Sequence, residues 1–191
     1  MLTELEIVND MLAATGTAAV STANTSHPAY KKAYNKLVKE ARVMQGKGWW
    51  FNRSVRMYRP NVAGEVILPS TTLNADPTNT NLKYVVRGGK LYSMSSGSHV
   101  IGHEVEVDVI EFVPIADMPP TAQAYLQAHA VYMFYLDENG GEPKLSSYLR
   151  LVQDSRAAIM RDQLQNSDVN FFKGASYKSF ARPQTMRRLL K

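Results

Sequence analysis

Lys47 to Asn52 reads Lys-Gly-Trp-Trp-Phe-Asn, and at this hexapeptide the chain changes its period. Upstream, Tyr30, Tyr34, Leu37, Ala41 and Met44 recur at the 4-3-4-3 spacing of one helical face. Lys31, Lys32, Lys36, Lys39 and Arg42 cover the other faces. Ser26 and Pro28 start this helix, since proline is favoured in a first turn, and Gly46 ends it. Downstream, Ser54-Val-Arg-Met-Tyr-Arg59 alternates with period two until Pro60 stops it. Both tryptophans and one of the six phenylalanines stand at the junction. Such large aromatics make packing centres, so Trp49, Trp50 and Phe51 are expected as a core hub joining a helical part to a β part.

Beyond the junction the β signals continue. Glu65 to Leu68 is expected as a short strand, and the turn-rich stretch from Pro69 to Asn81 as a long loop. Tyr84-Val-Val-Arg-Gly-Gly-Lys-Leu-Tyr92 reads as a hairpin turned by Gly88-Gly89. Glu104 to Phe112 is a longer strand with Val105, Val107 and Val109 on one face and Glu104, Glu106 and Asp108 on the other. Ile110 and Phe112 are out of phase with those valines, which predicts a bulge near Val109–Glu111. Helical patterning returns after Pro119-Pro120. Ala122 to Leu136 has few polar positions and is expected at the centre of a bundle or at a subunit interface. Gly140-Gly141 and Pro143 precede a last helix with Leu145, Leu149, Val152 and Ile159 on its face. At the other end, Thr3 and Glu6 form a capping box, Leu5, Val8 and Leu12 a stripe, and Gly16 a terminator.

The expected class is α+β: an antiparallel bundle of about four helices (residues 1–52 and 115–166), interrupted by an inserted β subdomain (53–114). Residues 167–191 form an arm. The net charge of +5 sits entirely in that arm: Lys173, Lys178, Arg182, Arg187, Arg188 and Lys191 stand against Asp168 alone. Residues 1–166 carry 16 basic and 16 acidic side chains and sum to zero. The absence of cysteine excludes disulfides, thiolate metal sites and cysteine nucleophiles. The acidic N-terminus is unlike a signal peptide, and no apolar run approaches the roughly 20 residues of a membrane helix. No cofactor, metal or membrane partner is expected.

Chemistry-bearing motifs are sparse. His27, His99, His103 and His129 have no metal-ligand spacing; His99 and His103 are expected in exposed loops and His129 as a hydrogen-bonded core histidine. Glu104, Glu106 and Asp108 share a strand face, which suits a solvated or partner-facing stripe; a glycan-degrading acid–base pair is the alternative. In the arm, Phe171, Phe172, Tyr177 and Phe180 alternate with Lys173, Lys178 and Arg182. Aromatics interleaved with cations suit nucleic-acid stacking or anchoring in pockets of another protein. Packing back on the chain's own helices is the third possibility.

Several segments, in order, resemble the tail tubular protein A family, the head-to-tail adaptors (connector or gatekeeper rings) of short-tailed podovirus bacteriophages. They are Ile7-Val-Asn-Asp-Met-Leu-Ala-Ala-Thr-Gly16 with Val20-Ser21, Gly48-Trp-Trp-Phe-Asn52, Leu68-Pro-Ser with Asp76, Tyr84 to Tyr92, and Pro119-Pro-Thr-Ala-Gln-Ala-Tyr-Leu126. Thr17-Ala18-Ala19 replaces prolines common in the family, and the arm matches least. The resemblance implies a structural virion protein at the head–tail junction, in the host cytoplasm during assembly. It implies a dodecameric ring between the portal protein and the tail nozzle protein (tail tubular protein B-like), with a channel for double-stranded DNA. On that basis Phe171, Phe172, Lys173, Tyr177, Lys178 and Arg182 are candidates for portal contact. Arg87, Lys90, Tyr92, Glu104, Glu106 and Asp108 are candidates for contact with the nozzle or a neighbouring subunit.

Overall fold

The computed structural model describes residues 2–23, 27–140 and 143–166. The described residues form an α+β fold with four α-helices and two small antiparallel sheets. The order is α1 (Glu4–Ala14), α2 (Pro28–Gln45), β1 (Arg53–Tyr58), β2 (Thr72–Pro77), β3 (Tyr84–Arg87), β4 (Lys90–Ser93), β5 (Val105–Glu111), α3 (Pro120–Asn139) and α4 (Leu145–Asn166). Among the described residues no helix is long and apolar enough to cross a membrane.

Local chemistry sets the helix ends. The Thr3 hydroxyl accepts the Glu6 N–H while the Glu6 carboxylate accepts the Thr3 N–H, a complete capping box. At the other end of α1, the Thr17 N–H reaches Leu12 O and the Gly16 N–H reaches Ala13 O, the paired bonds of a Schellman motif. On α2 the cap is His27, whose Nδ1 accepts the Tyr30 N–H; Ser26 lies outside the described residues. Gly46 keeps right-handed helical angles, and the chain turns instead at Gly48, with φ of +75°. A Cβ at Gly48 would sit 2.8 Å from Ile110 Cδ1, so the turn needs glycine for both its angle and its space.

All four helices share one buried cluster. Ile7, Val8, Met11 and Leu12 of α1 meet Tyr30, Leu37 and Met44 of α2, Tyr125, Leu126 and Phe134 of α3, and Val152 and Ile159 of α4. The apolar α3 lies at the centre and packs on the other three. A second cluster fills the β part, where Val105, Val107 and Val109 meet Val66, Leu68, Ala75 and Leu91.

The three-stranded sheet has the order β1-β5-β2, and β3-β4 is the Gly88-Gly89 hairpin, both glycines having positive φ. The β region departs from the sequence expectation in three places. Residues 65–68 make only isolated bridges to Val100 and Lys90, because Pro69 stops the pairing. The expected long loop contains β2, an edge strand of mixed composition paired to β5, with Ala75 buried in the β cluster. The bulge is also on β2, where the register slips between Thr72 and Asn74; β5 runs in unbroken register against β1. Ile110 is out of phase because it faces the other side of the sheet, against the Gly48 turn.

Candidate functional site

The junction is built by buried amides. Trp49 is buried, donates Nε1–H to Met44 O at 2.8 Å, and meets the Tyr125 ring edge-on at 6.2 Å. Trp50 and Phe51 are half-buried against the same cluster, so the hub is chiefly Trp49. Asn52 Nδ2 donates to Gln45 O and Glu111 O, while its Oδ1 accepts the Trp49 N–H. Gln45 clamps Val113 at both N–H and C=O. Gln123 does similar work, donating to Ile115 O and accepting from Leu2 N. Sequence reasoning quoted Asn52 and Gln123 only inside longer segments and gave none of these three amides a role. Their partners are backbone groups, most of them from distant parts of the chain, which leave no mark on local periodicity.

The acidic strand face is a ladder of ion pairs. Arg53 grips Asp108 through Nε and Nη2, and Arg59 holds Glu104 at 2.7 Å. Arg56, paired across from Val107, holds Glu111 at 2.5 Å on the valine side of the sheet. Glu106 accepts from the Thr78 hydroxyl at 2.6 Å. On the hairpin, the Arg87 guanidinium lies 4.1 Å over the Tyr92 ring, and Lys90 pairs with Glu65 at 2.7 Å. These candidates therefore form two groups, one at the hairpin and one on the outer sheet face. Beside the ladder, Val55 and Met57 of β1 are more than half exposed, and among the described residues no further strand pairs with that edge.

Between α2 and α3 sits a second charged group. Glu40 is almost fully buried, 3.2 Å from Lys36 Nζ and 3.5 Å from His129 Nδ1; Lys36 also reaches Asp137. His129 is half-buried, and its Nδ1 makes no hydrogen bond, unlike the satisfied core histidine expected. Burial pushes its pKa below 6.5, against the pull of Glu40. A depressed folded pKa means that the unfolded chain binds a proton here before the folded chain does. Stability is therefore full above 6.5 and declines as pH falls below it, by at most about 1.4 kcal/mol per unit. Urea titrations between pH 7.5 and 5 will show this decline, and His129→Phe will remove it. Equal slopes in both proteins would assign the decline to other groups.

Helix α4 has apolar side chains on three sides. Val152 and Ile159 point inward. At 3.6 residues per turn, Tyr148, Leu151 and Ser155 fall on one flank and Leu149, Met160 and Leu164 on the other. The first flank closes a groove of about 550 Å³ with α1 and α3. The second is open, with Leu149, Met160 and Leu164 exposed by 40%, 42% and 64%. Leu149 is thus not on the inward face that the sequence pattern suggested. Phe171, Phe172, Lys173, Tyr177, Lys178 and Arg182 lie outside the described residues.

The family model for tail tubular proteins matches residues 5–169. Tail tubular protein A of Klebsiella phage KP34 is 26% identical over 163 residues, covering 85% of this chain and 88% of that protein. The family match takes in every described helix and strand from Leu5 onward and stops three residues past α4.

Proposed function

The chain belongs to the tail tubular protein family and is a structural component of the bacteriophage tail; from that premise we propose that it is a subunit of a dodecameric head-to-tail adaptor ring. The ring joins the portal protein to the tail nozzle protein and forms part of the channel through which double-stranded DNA leaves. The helices act as one unit, residues 53–114 as an inserted β unit, and residues 167–191 as the arm that reaches the portal. In that arm Phe171, Phe172 and Tyr177 supply anchors, and Lys173, Lys178 and Arg182 supply steering charge. Arg87, Lys90, Tyr92, Glu104, Glu106 and Asp108 face the nozzle or a neighbouring β unit. The ion-pair ladder serves there as a rigid polar surface and not as an acid–base pair.

The observation that carries this proposal is the open flank of α4. Leu149, Met160 and Leu164 project from a helix whose inward face is already filled by Val152 and Ile159. Met160 and Leu164, one helical turn apart, are adjacent exposed apolar side chains, and such a patch on a folded domain marks a contact surface. Light scattering of the protein mixed with portal rings from the same phage tests it. A dodecamer's mass joining each portal ring is the expected result, and a protein that leaves the portal's mass unchanged overturns the proposal.

A further inference from the structure

We propose that, in the free subunit, residues 167–191 fold back into the groove between α1 and α4, seating Phe171 and Phe172 on its floor. The inference is independent of the adaptor proposal and concerns the subunit before any partner is met. The floor is made of small side chains, Ala13 and Ala14 from α1 with Ala124 and Ala128 from α3, which leave room above them. Leu151 stands in the α4 wall with 56% of its surface exposed. The cavity is therefore apolar, open and shaped for bulky side chains that the described residues do not supply.

Reach and charge select the occupant. The arm continues from Asn166, the last residue of the helix that forms one wall. Ser155, at the near end of the groove, precedes Asn166 by eleven residues, about 16 Å along the helix. Phe171 and Phe172 follow Asn166 by five and six residues, a reach of about 17–20 Å for an extended chain. Tyr148, at the far end, lies about 27 Å back along α4. Tyr177 and Phe180 have about 36–46 Å of chain to reach it. A chain that doubles back thus brings its aromatic residues to both ends of the groove. The groove's charge complements the arm: Asp10 of α1 lines it, and no basic side chain does, against six basic residues and one acidic in the arm. Tethering places the arm at an effective concentration near millimolar, whereas an arm from a second copy loses translational and rotational freedom on binding.

The natural absence of cysteine makes a disulfide trap clean. In the full chain, Ser155→Cys combined with Phe172→Cys is expected to oxidise within the monomer at least about tenfold faster than Gln153→Cys combined with Phe172→Cys. Gln153 lies on the other flank of α4. Equal rates, or covalent dimers in place of closed monomers, would overturn the proposal. A second measurement does not need the disulfide to form. Thiol labelling of a lone Ser155→Cys is expected to rise about tenfold when Phe171 and Phe172 are both replaced by alanine. Unchanged labelling would also overturn it.

Discussion

Replacing Asn52 with leucine is expected to lower stability by about 3–5 kcal/mol, because one side chain serves three backbone groups at the junction. Its Nδ2 serves the carbonyls of Gln45 and Glu111, at 3.0 and 2.9 Å, and its Oδ1 serves the Trp49 N–H at 2.8 Å. Leucine keeps the branched shape but is larger, and it takes the partner from the Trp49 N–H and from Glu111 O in a site where Asn52 is only 6% exposed; Gln45 O keeps the Gly48 N–H. Each group left unpaired costs about 1–3 kcal/mol, and the two are not strictly additive because they share one pocket. At this chain length the melting temperature should fall by about 6–20 °C. Asn52→Asp separates polarity from pairing. It keeps an acceptor for Trp49 but points an anionic oxygen at two carbonyls, so it should be no more stable than the leucine variant. A leucine variant melting within about 2 °C of the parent would show that the helical and β parts do not depend on this residue.

Asn52 also shows how far local sequence carries. The aromatic residues beside it announce a packing centre by their cost, and Trp49 occupies one. The amide that ties the centre together has partners seven and 59 positions away, and no periodicity records them. The helix termini were legible because their chemistry is local: Thr3 with Glu6, Gly16, Pro28 and Pro120 each act within a turn. The Gly88-Gly89 hairpin was legible for the same reason. Strand β2 was not, since Thr72-Leu-Asn-Ala-Asp-Pro77 has turn-like composition and becomes a strand only because β5 offers its edge. The change of phase at Ile110 was visible, but it marks only a side chain on the other sheet face; the extra residue sits on β2, which the β5 pattern does not record. On α4, Leu149 matched the inward stripe by spacing, yet the inward side is filled by Val152 and Ile159 and Leu149 faces out. An apolar residue's spacing gives its angle around the helix; what covers that angle depends on neighbours, including other subunits.

That distinction underlies the largest effect expected on assembly. Met160→Glu combined with Leu164→Glu should leave the isolated subunit's unfolding free energy within about 1 kcal/mol of the parent, since Leu164 is 64% and Met160 42% exposed already. In a ring the same positions would be covered. Burying a methionine or leucine side chain is worth about 1.5–3 kcal/mol. Two carboxylates in their place would forfeit that gain and add the cost of burying unpaired charge. A loss of about 3 kcal/mol per contact already weakens it more than 100-fold. Because a closed ring repeats one heterologous contact around its circumference, the penalty recurs at every joint. The expected outcome is a folded monomer that adds no mass to portal rings at concentrations where the parent saturates them. Leu151→Glu is the matched control, since it places a carboxylate on the opposite flank of the same helix and should leave ring formation intact. Rings forming normally from the Met160/Leu164 variant would move the subunit contact off α4, leaving the exposed Val55 and Met57 edge of β1 as the next surface to test.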